Sequence, residues 1–232
     1  MYAKETIEDI AVAKSNSTIN GPQVIFQQIY TNANLSITWD NIARAERTRA
    51  KAIVWTIDVP GDAVRHRAAR FDTTKANFAT SELPWDLYDQ MKNYTSLAII
   101  PKGIASVENA REAIRRGVKA IYISNHDGRQ LDNSTTLHRP SKSPTKSTAT
   151  RPRYGTDVLK LMASSVRAIG LGRPFLYANC YGREGVQKAI QMMKKEIELD
   201  AAQVGIADVR KIGPSVINAR KLEDTVYIGE RN

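Results

Sequence analysis

The feature that most constrains this chain is a repeated pairing of an apolar run with the polar residues that end it. Val24 to Tyr30, Ala52 to Ile57, Leu97 to Ile100, Ala120 to Ile123 and Val166 to Leu171 are each short, apolar and rich in β-formers, and each reads as a strand. They end at Gln28 and Tyr30, at Thr56 and Asp58, at Lys102, at Ser124 and His126, and at Gly172 and Arg173. Helical patterns separate them, over Ile37 to Ala50, Pro84 to Asn93, Val107 to Arg116, Gly155 to Ser164 and Gly182 to Leu199, after a short N-terminal helix over Thr6 to Ala13. Strand–helix alternation predicts a parallel sheet. In barrels of that kind the chemistry sits where the strands end.

The densest such end is Ser124-Asn125-His126-Asp127-Gly128-Arg129. A histidine can take a proton near neutral pH. An arginine three residues on can hold a carboxylate in a two-point grip. A base beside a carboxylate clamp is what oxidation of a 2-hydroxy acid needs.

Composition narrows the class. With 232 residues and 42% hydrophobic content the chain has ample length for a core. No apolar run approaches a membrane span. Met1 to Ala13 reads as neither a signal nor a transit peptide. Cys180 is the single cysteine, which excludes internal disulfides and points to the cytoplasm or another reducing compartment. No His/Cys/carboxylate spacing suggests a metal site, and no GxxxxGK phosphate loop is present.

Lysine and arginine number 34 against 24 acids, a net charge of +10. Part of the excess is local: Arg139, Lys142, Lys146, Arg151 and Arg153 share one acid-free stretch rich in Ser, Thr and Pro. The stretch lacks interleaved aromatics, so it reads as a loop rather than a nucleic-acid patch. Gly61 to Thr80 reads as a second long loop.

Taken together these residues resemble the FMN-dependent α-hydroxy-acid dehydrogenases, the family of glycolate oxidase and the yeast-type L-lactate dehydrogenases. The matching runs are Gln28-Ile29-Tyr30, Arg44-Ala45-Glu46, Lys51-Ala52-Ile53 with Thr56-Ile57-Asp58, Lys102-Gly103-Ile104, Ser124-Asn125-His126 with Gly128-Arg129-Gln130-Leu131-Asp132, Gly155 to Lys160, and Gly172-Arg173-Pro174-Phe175. Arg65 to Phe71 and Arg153 to Asp157 look similar to fungal members.

The resemblance implies an α/β fold, a TIM (β/α) barrel that is incomplete. Its first two strands are missing, and its seventh-strand region is replaced by a basic Ser/Thr/Pro-rich loop over 133–152. Residues 1–232 then form one partial domain. The implied cofactor is FMN, and the implied partner is a small 2-hydroxy acid; a homo-oligomer stays open, and neither membrane nor nucleic acid is implied.

The resemblance also implies roles. His126 is the base at the hydroxyl carbon, and Asp58 orients it. Arg129 and Tyr30 hold the substrate carboxylate, with Arg65 nearby. Lys102 faces the flavin's pyrimidine end, while Gln28, Thr56 and Ser124 bond the ring and ribityl chain. Arg153, Gly172 and Arg173 bind the phosphate.

Two departures from the pattern stand out. Ala149-Thr150-Arg151 falls where the family has Asp-Gly-Gly, and Asp127 replaces the glycine after the base. A catalytically inactive remnant or fragment of that family and a basic binding module are the alternative readings. With barrel strands missing, the isolated chain is expected to bind FMN weakly or not at all.

Overall fold

A computed structural model describes residues 5–16, 21–59, 83–126 and 154–218, together with the backbone of 146–150. The Gly61–Thr80 loop expectation falls outside these residues. Packing divides the chain into two compact units, Met1–Ser134 and Thr135–Asn232.

The first unit holds four parallel strands in chain order: β1 (Phe26–Tyr30), β2 (Ala52–Thr56), β3 (Ala98–Ile104) and β4 (Ala120–Ile123). Helices α2 (Leu35–Arg47), α3 (Trp85–Tyr94) and α4 (Val107–Arg115) connect them, after α1 (Ile7–Val12). Every residue of β2 is buried, as a strand flanked on both edges and covered on both faces must be. Its Ile53 and Trp55, with Ile42 and Ala45 of α2, Met91 of α3, Ile104 of β3 and Ala113 of α4, are the most deeply buried apolar side chains of the unit. Trp55 also donates its indole N–H to Thr31 Oγ1 at 2.9 Å, so its one polar atom is satisfied inside the core.

Local sequence sets the helix starts. The Thr6 hydroxyl accepts from the Asp9 amide while the Asp9 carboxylate accepts from the Thr6 amide, a reciprocal cap on α1. The Asn34 side chain accepts from Ser36 N ahead of α2, and Ser106 Oγ accepts from Asn109 N ahead of α4.

The second unit holds β5 (Lys146–Thr150), β6 (Ala168–Gly170), α5 (Gly155–Ala163), α6 (Arg173–Ala178) and α7 (Gly182–Gln203). β5 corrects the sequence reading, which made this stretch loop. It runs parallel to β6, with Thr148 opposite Ala168 and Thr150 opposite Gly170. A polar Ser/Thr run carries no apolar signal, but its β-branched threonines tolerate extended backbone once a neighbouring strand supplies the ladder. α6 begins at Arg173, with Pro174 as its second residue. Proline at the second helical position is compatible with a helix start, because the first amides have no partner within the helix.

A candidate active site at the strand ends

Side chains two residues apart on a strand share a face. Gln28 and Tyr30 are such a pair on β1, while Thr56 and Asp58 stand at the end of β2 and Ser124 and His126 just after β4. The register aligns them: Tyr30 stands opposite Thr56, Thr56 opposite Lys102, and Lys102 opposite Tyr122. Strand pairing therefore brings seven of the expected site residues to one end of one sheet.

Gln28 Nε2 donates to Thr56 Oγ1 at 3.0 Å and to the Tyr30 hydroxyl at 3.3 Å. His126 Nδ1 lies 2.9 Å from Asp58 Oδ1, and its Nε2 lies 3.5 Å from the Tyr30 hydroxyl. Lys102 Nζ is 4.0 Å from Asp58 Oδ2. Thr56, Lys102, Ser124 and His126 are all buried. Asp58 Oδ2 is buried too and accepts no hydrogen bond among the described residues.

This geometry assigns the protons of the imidazole. An ionised carboxylate can only accept, so Nδ1 carries the hydrogen and donates it to Asp58. Nε2 then holds a lone pair on the Tyr30 side, where it can accept a proton.

His126 adopts φ 55°, a left-handed conformation uncommon for a residue other than glycine. Ser124 Oγ accepts from His126 N at 3.0 Å and closes the turn that holds it there. Strain of this sort at a functional residue persists only when its surroundings over-determine it.

Two further residues of the site drew no role in the sequence. Tyr122 lies under Lys102, with Nζ 5.8 Å from its ring centroid, and burial pushes its hydroxyl pKa up. Gly103 approaches Asp58 closely. Tyr122 sits inside an apolar strand run, so nothing local marks it. Gly103 is visible only as the residue after Lys102.

Arg65, Arg129 and Arg153 lie outside the described residues, as does Asp127. Gly172 and Arg173 belong to the second unit, at the start of α6, and both are exposed. Among the described residues no group of His, Cys, Asp and Glu is arranged to hold a metal ion, and no helix is long and apolar enough to cross a membrane.

Comparison with known proteins accounts for the arrangement. The chain is 31% identical over 245 residues to L-lactate dehydrogenase (cytochrome) of Saccharomyces cerevisiae, covering 87% of this chain and 40% of the relative. It is 28% identical to glycolate oxidase of Spinacia oleracea, covering 94% of this chain and 68% of that protein. The chain thus spans less than half of the yeast enzyme. Among solved structures, the recombinant flavin-binding domain of baker's yeast flavocytochrome b2 superposes with a TM-score of 0.86 at 30% identity, over 99% of this chain and 62% of that one. A mandelate oxidase variant follows at 0.76 and 28% identity. The fold is accordingly part of a TIM (β/α) barrel, as the family resemblance implies. The FMN-dependent dehydrogenase profile matches residues 1–80, 68–139 and 152–219, and the chain belongs to that family.

Proposed function

We propose that this chain carries the catalytic centre of a flavoprotein that oxidises a 2-hydroxy acid of the L-lactate or glycolate type to the 2-oxo acid. The observation that carries the reading is the line Tyr30 hydroxyl, His126 Nε2, His126 Nδ1, Asp58 carboxylate, at 3.5 and 2.9 Å.

The residues present fit FMN by the chemistry of the donor set. Thr56 Oγ1 accepts from Gln28 and Ser124 Oγ accepts from His126 N, so each hydroxyl retains its own O–H to donate. The Lys102 ammonium supplies positive charge at the same end of the sheet. Amide, hydroxyl and ammonium groups of this kind suit a ring edged with carbonyls and nitrogens, so Gln28, Thr56, Lys102 and Ser124 would hold it. FMN, when bound, takes up a hydride equivalent from the substrate.

The protein's own residues do the rest. Oxidation of a 2-hydroxy acid removes two electrons and two protons. His126 Nε2 takes the proton that does not accompany the hydride equivalent. Asp58 holds the imidazole in the Nδ1–H form and stabilises the cation. Lys102 balances the Asp58 charge and favours electron density accumulating beside it. Tyr30 and, by the family resemblance, Arg129 and Arg65 orient the substrate carboxylate. The same resemblance assigns the phosphate to Arg153, Gly172 and Arg173.

The test is flavin bleaching. The full chain is mixed with FMN and then with L-lactate or glycolate in the absence of oxygen. Loss of visible absorbance is expected. His126→Ala should keep the flavin but slow its reduction by about a hundredfold to ten-thousandfold, the usual worth of a general base. Reduction at the unaltered rate in that variant rejects the reading.

A further inference from the structure

We propose that Gly103 is a positioning residue for the base, acting through Asp58. The inference rests on the assignment of His126 as base. Gly103 has φ +114°, outside the range that a side chain readily allows. A Cβ built on it would lie 2.5 Å from Asp58 Cβ, 2.6 Å from Asp58 Cγ and 2.8 Å from Asp58 N. No real Cβ sits so close to backbone and to the root of a short side chain, so Asp58 would have to move.

The register explains why the strand passes so near. Lys102 pairs with Tyr122 and Ile104 with Ile123, so β3 advances two residues where β4 advances one. Gly103 is the extra residue of a bulge, a device that re-aims neighbouring side chains. On the other side, Ile57 N donates to Lys102 O at 2.8 Å and pins the end of β2 against that bulge. Asp58 follows immediately. The glycine therefore opens the space that the Asp58 root occupies, and from there Oδ1 reaches His126 Nδ1 at 2.9 Å. A bulge glycine serving strand geometry alone would need its positive φ, but not this contact with one catalytic side chain.

Gly117 provides the control. It also has positive φ, +73°, yet a Cβ there would meet only Lys92 Nζ at 3.9 Å. Gly117→Ala imposes backbone strain without touching Asp58. The full chain is prepared as wild type, Gly103→Ala, Gly117→Ala and Asp58→Ala. Nitrogen NMR shifts of the His126 imidazole then report its tautomer without flavin or substrate. Wild type and Gly117→Ala should share the Nδ1–H signature, and Gly103→Ala should move to that of Asp58→Ala. A wild-type signature in Gly103→Ala overturns the proposal.

The kinetic arm uses FMN and L-lactate. Gly103→Ala should lose about a hundredfold in kcat, the scale of a misplacement near 1 Å, with KM little changed. Added to Asp58→Ala it should cost almost nothing further, because both act on the same partner. Full additivity of the two losses counts against the idea. If the wild type itself fails to reduce flavin, the functional reading falls and the NMR arm alone decides the role of Gly103. Should Gly103→Ala not fold, Asp58→Gly/Gly103→Ala removes the two nearest contacts. A higher yield of soluble, folded protein than Gly103→Ala gives supports the collision with the Asp58 side chain, the 2.8 Å approach to the residue 58 amide remaining in both, and an equal yield refutes it.

Discussion

The two units of the molecule are built to different tolerances. In the first, β1 and β2 pair over five residues, as do β2 and β3, and the central strand has no exposed position. In the second, the β5–β6 ladder pairs three residues, and the 22-residue α7 buries Ala201 alone. Leu176, Tyr177 and Tyr181 of the second unit are 65%, 65% and 81% exposed, whereas Trp55 in the first is 1% exposed. The buried polar cluster belongs to the tightly packed unit. Catalytic groups must be held to a fraction of an ångström, which a close-packed core provides and a half-exposed one does not.

The largest effect that tests this contrast is truncation of the core. Trp55→Ala removes a fully buried ring and leaves Thr31 without its donor, and should cost about 3–5 kcal/mol of stability. Leu176→Ala should stay within about 0.5 kcal/mol, since the side chain is mostly in water already. Chemical denaturation with the two units followed by separate probes reads both. Equal losses would abolish the distinction between the units.

The second unit also has closely specified contacts, among them the one where α5 meets α7. A Cβ on Gly155 would lie 2.6 Å from Ile197 N and 2.7 Å from Glu196 C, both backbone atoms. Gly155 N also donates to Glu196 Oε2 at 2.8 Å. Gly155→Ala should therefore cost about 1–3 kcal/mol, the range for overpacking a closed contact. The loss should appear in probes on α5 and α7 and leave the His126 environment unchanged. A neutral substitution would mean that these helices slide apart freely, and the second unit would be looser than described.

What could be read from sequence follows from where the information lies. Strand β2 announces itself because a parallel strand buried on both faces is a continuous apolar run, and β3 and β4 open on shorter runs of the same kind. The site was legible because Gln28 and Tyr30, Thr56 and Asp58, and Ser124 and His126 all stand where an apolar run ends. β5 was not legible, since Lys146 to Thr150 contains no apolar run, and its extended form depends on pairing with β6. Gly103 was quoted only as part of a motif; its backbone angle and its distance to Asp58 exist only after folding. Arg44 and Glu46, matched in the same way, turn out to serve the scaffold. Arg44 pairs with Glu8 at 2.6 Å, and Glu46 accepts from the Thr95 hydroxyl and from Ser96 N at 3.0 Å. Those bonds hold the Glu46 carboxyl below its ordinary pKa.

The smallest predicted effect concerns charge, and it too separates the units. In the first unit ion pairs cross between helices. Arg116, just after α4, reaches Asp86 at 3.2 Å and Asp89, both on α3, and holds Glu112 of its own helix at 2.5 Å. In the second unit Lys160 pairs with Asp157 and Arg210 with Asp208, each close in sequence. Hydrogen bonds from Arg115 first, and then from Arg116, lower the Glu112 pKa from 4.5 to about 2. A folded-state pKa below the unfolded one means that the carboxylate stabilises the fold fully above pH 4.5 and loses that contribution as pH falls toward 2. Because these groups are in water, solvent and salt screen the effect, and the change in melting temperature should be a few degrees at most. Melts of wild type and Glu112→Gln between about pH 5 and pH 2 test it at low ionic strength. The variant should show a shallower decline, with some slope remaining because Arg44 likewise holds Glu8 at about 2. Added salt should bring the two curves together. Hydrogen exchange should locate the acid-induced loosening on α3 and α4, where Arg116 joins them, and leave α5 and α7 protected as before. An identical slope in Glu112→Gln, or loosening that begins on α7, would show that the cross-helix pairs contribute nothing to the tighter packing of the first unit.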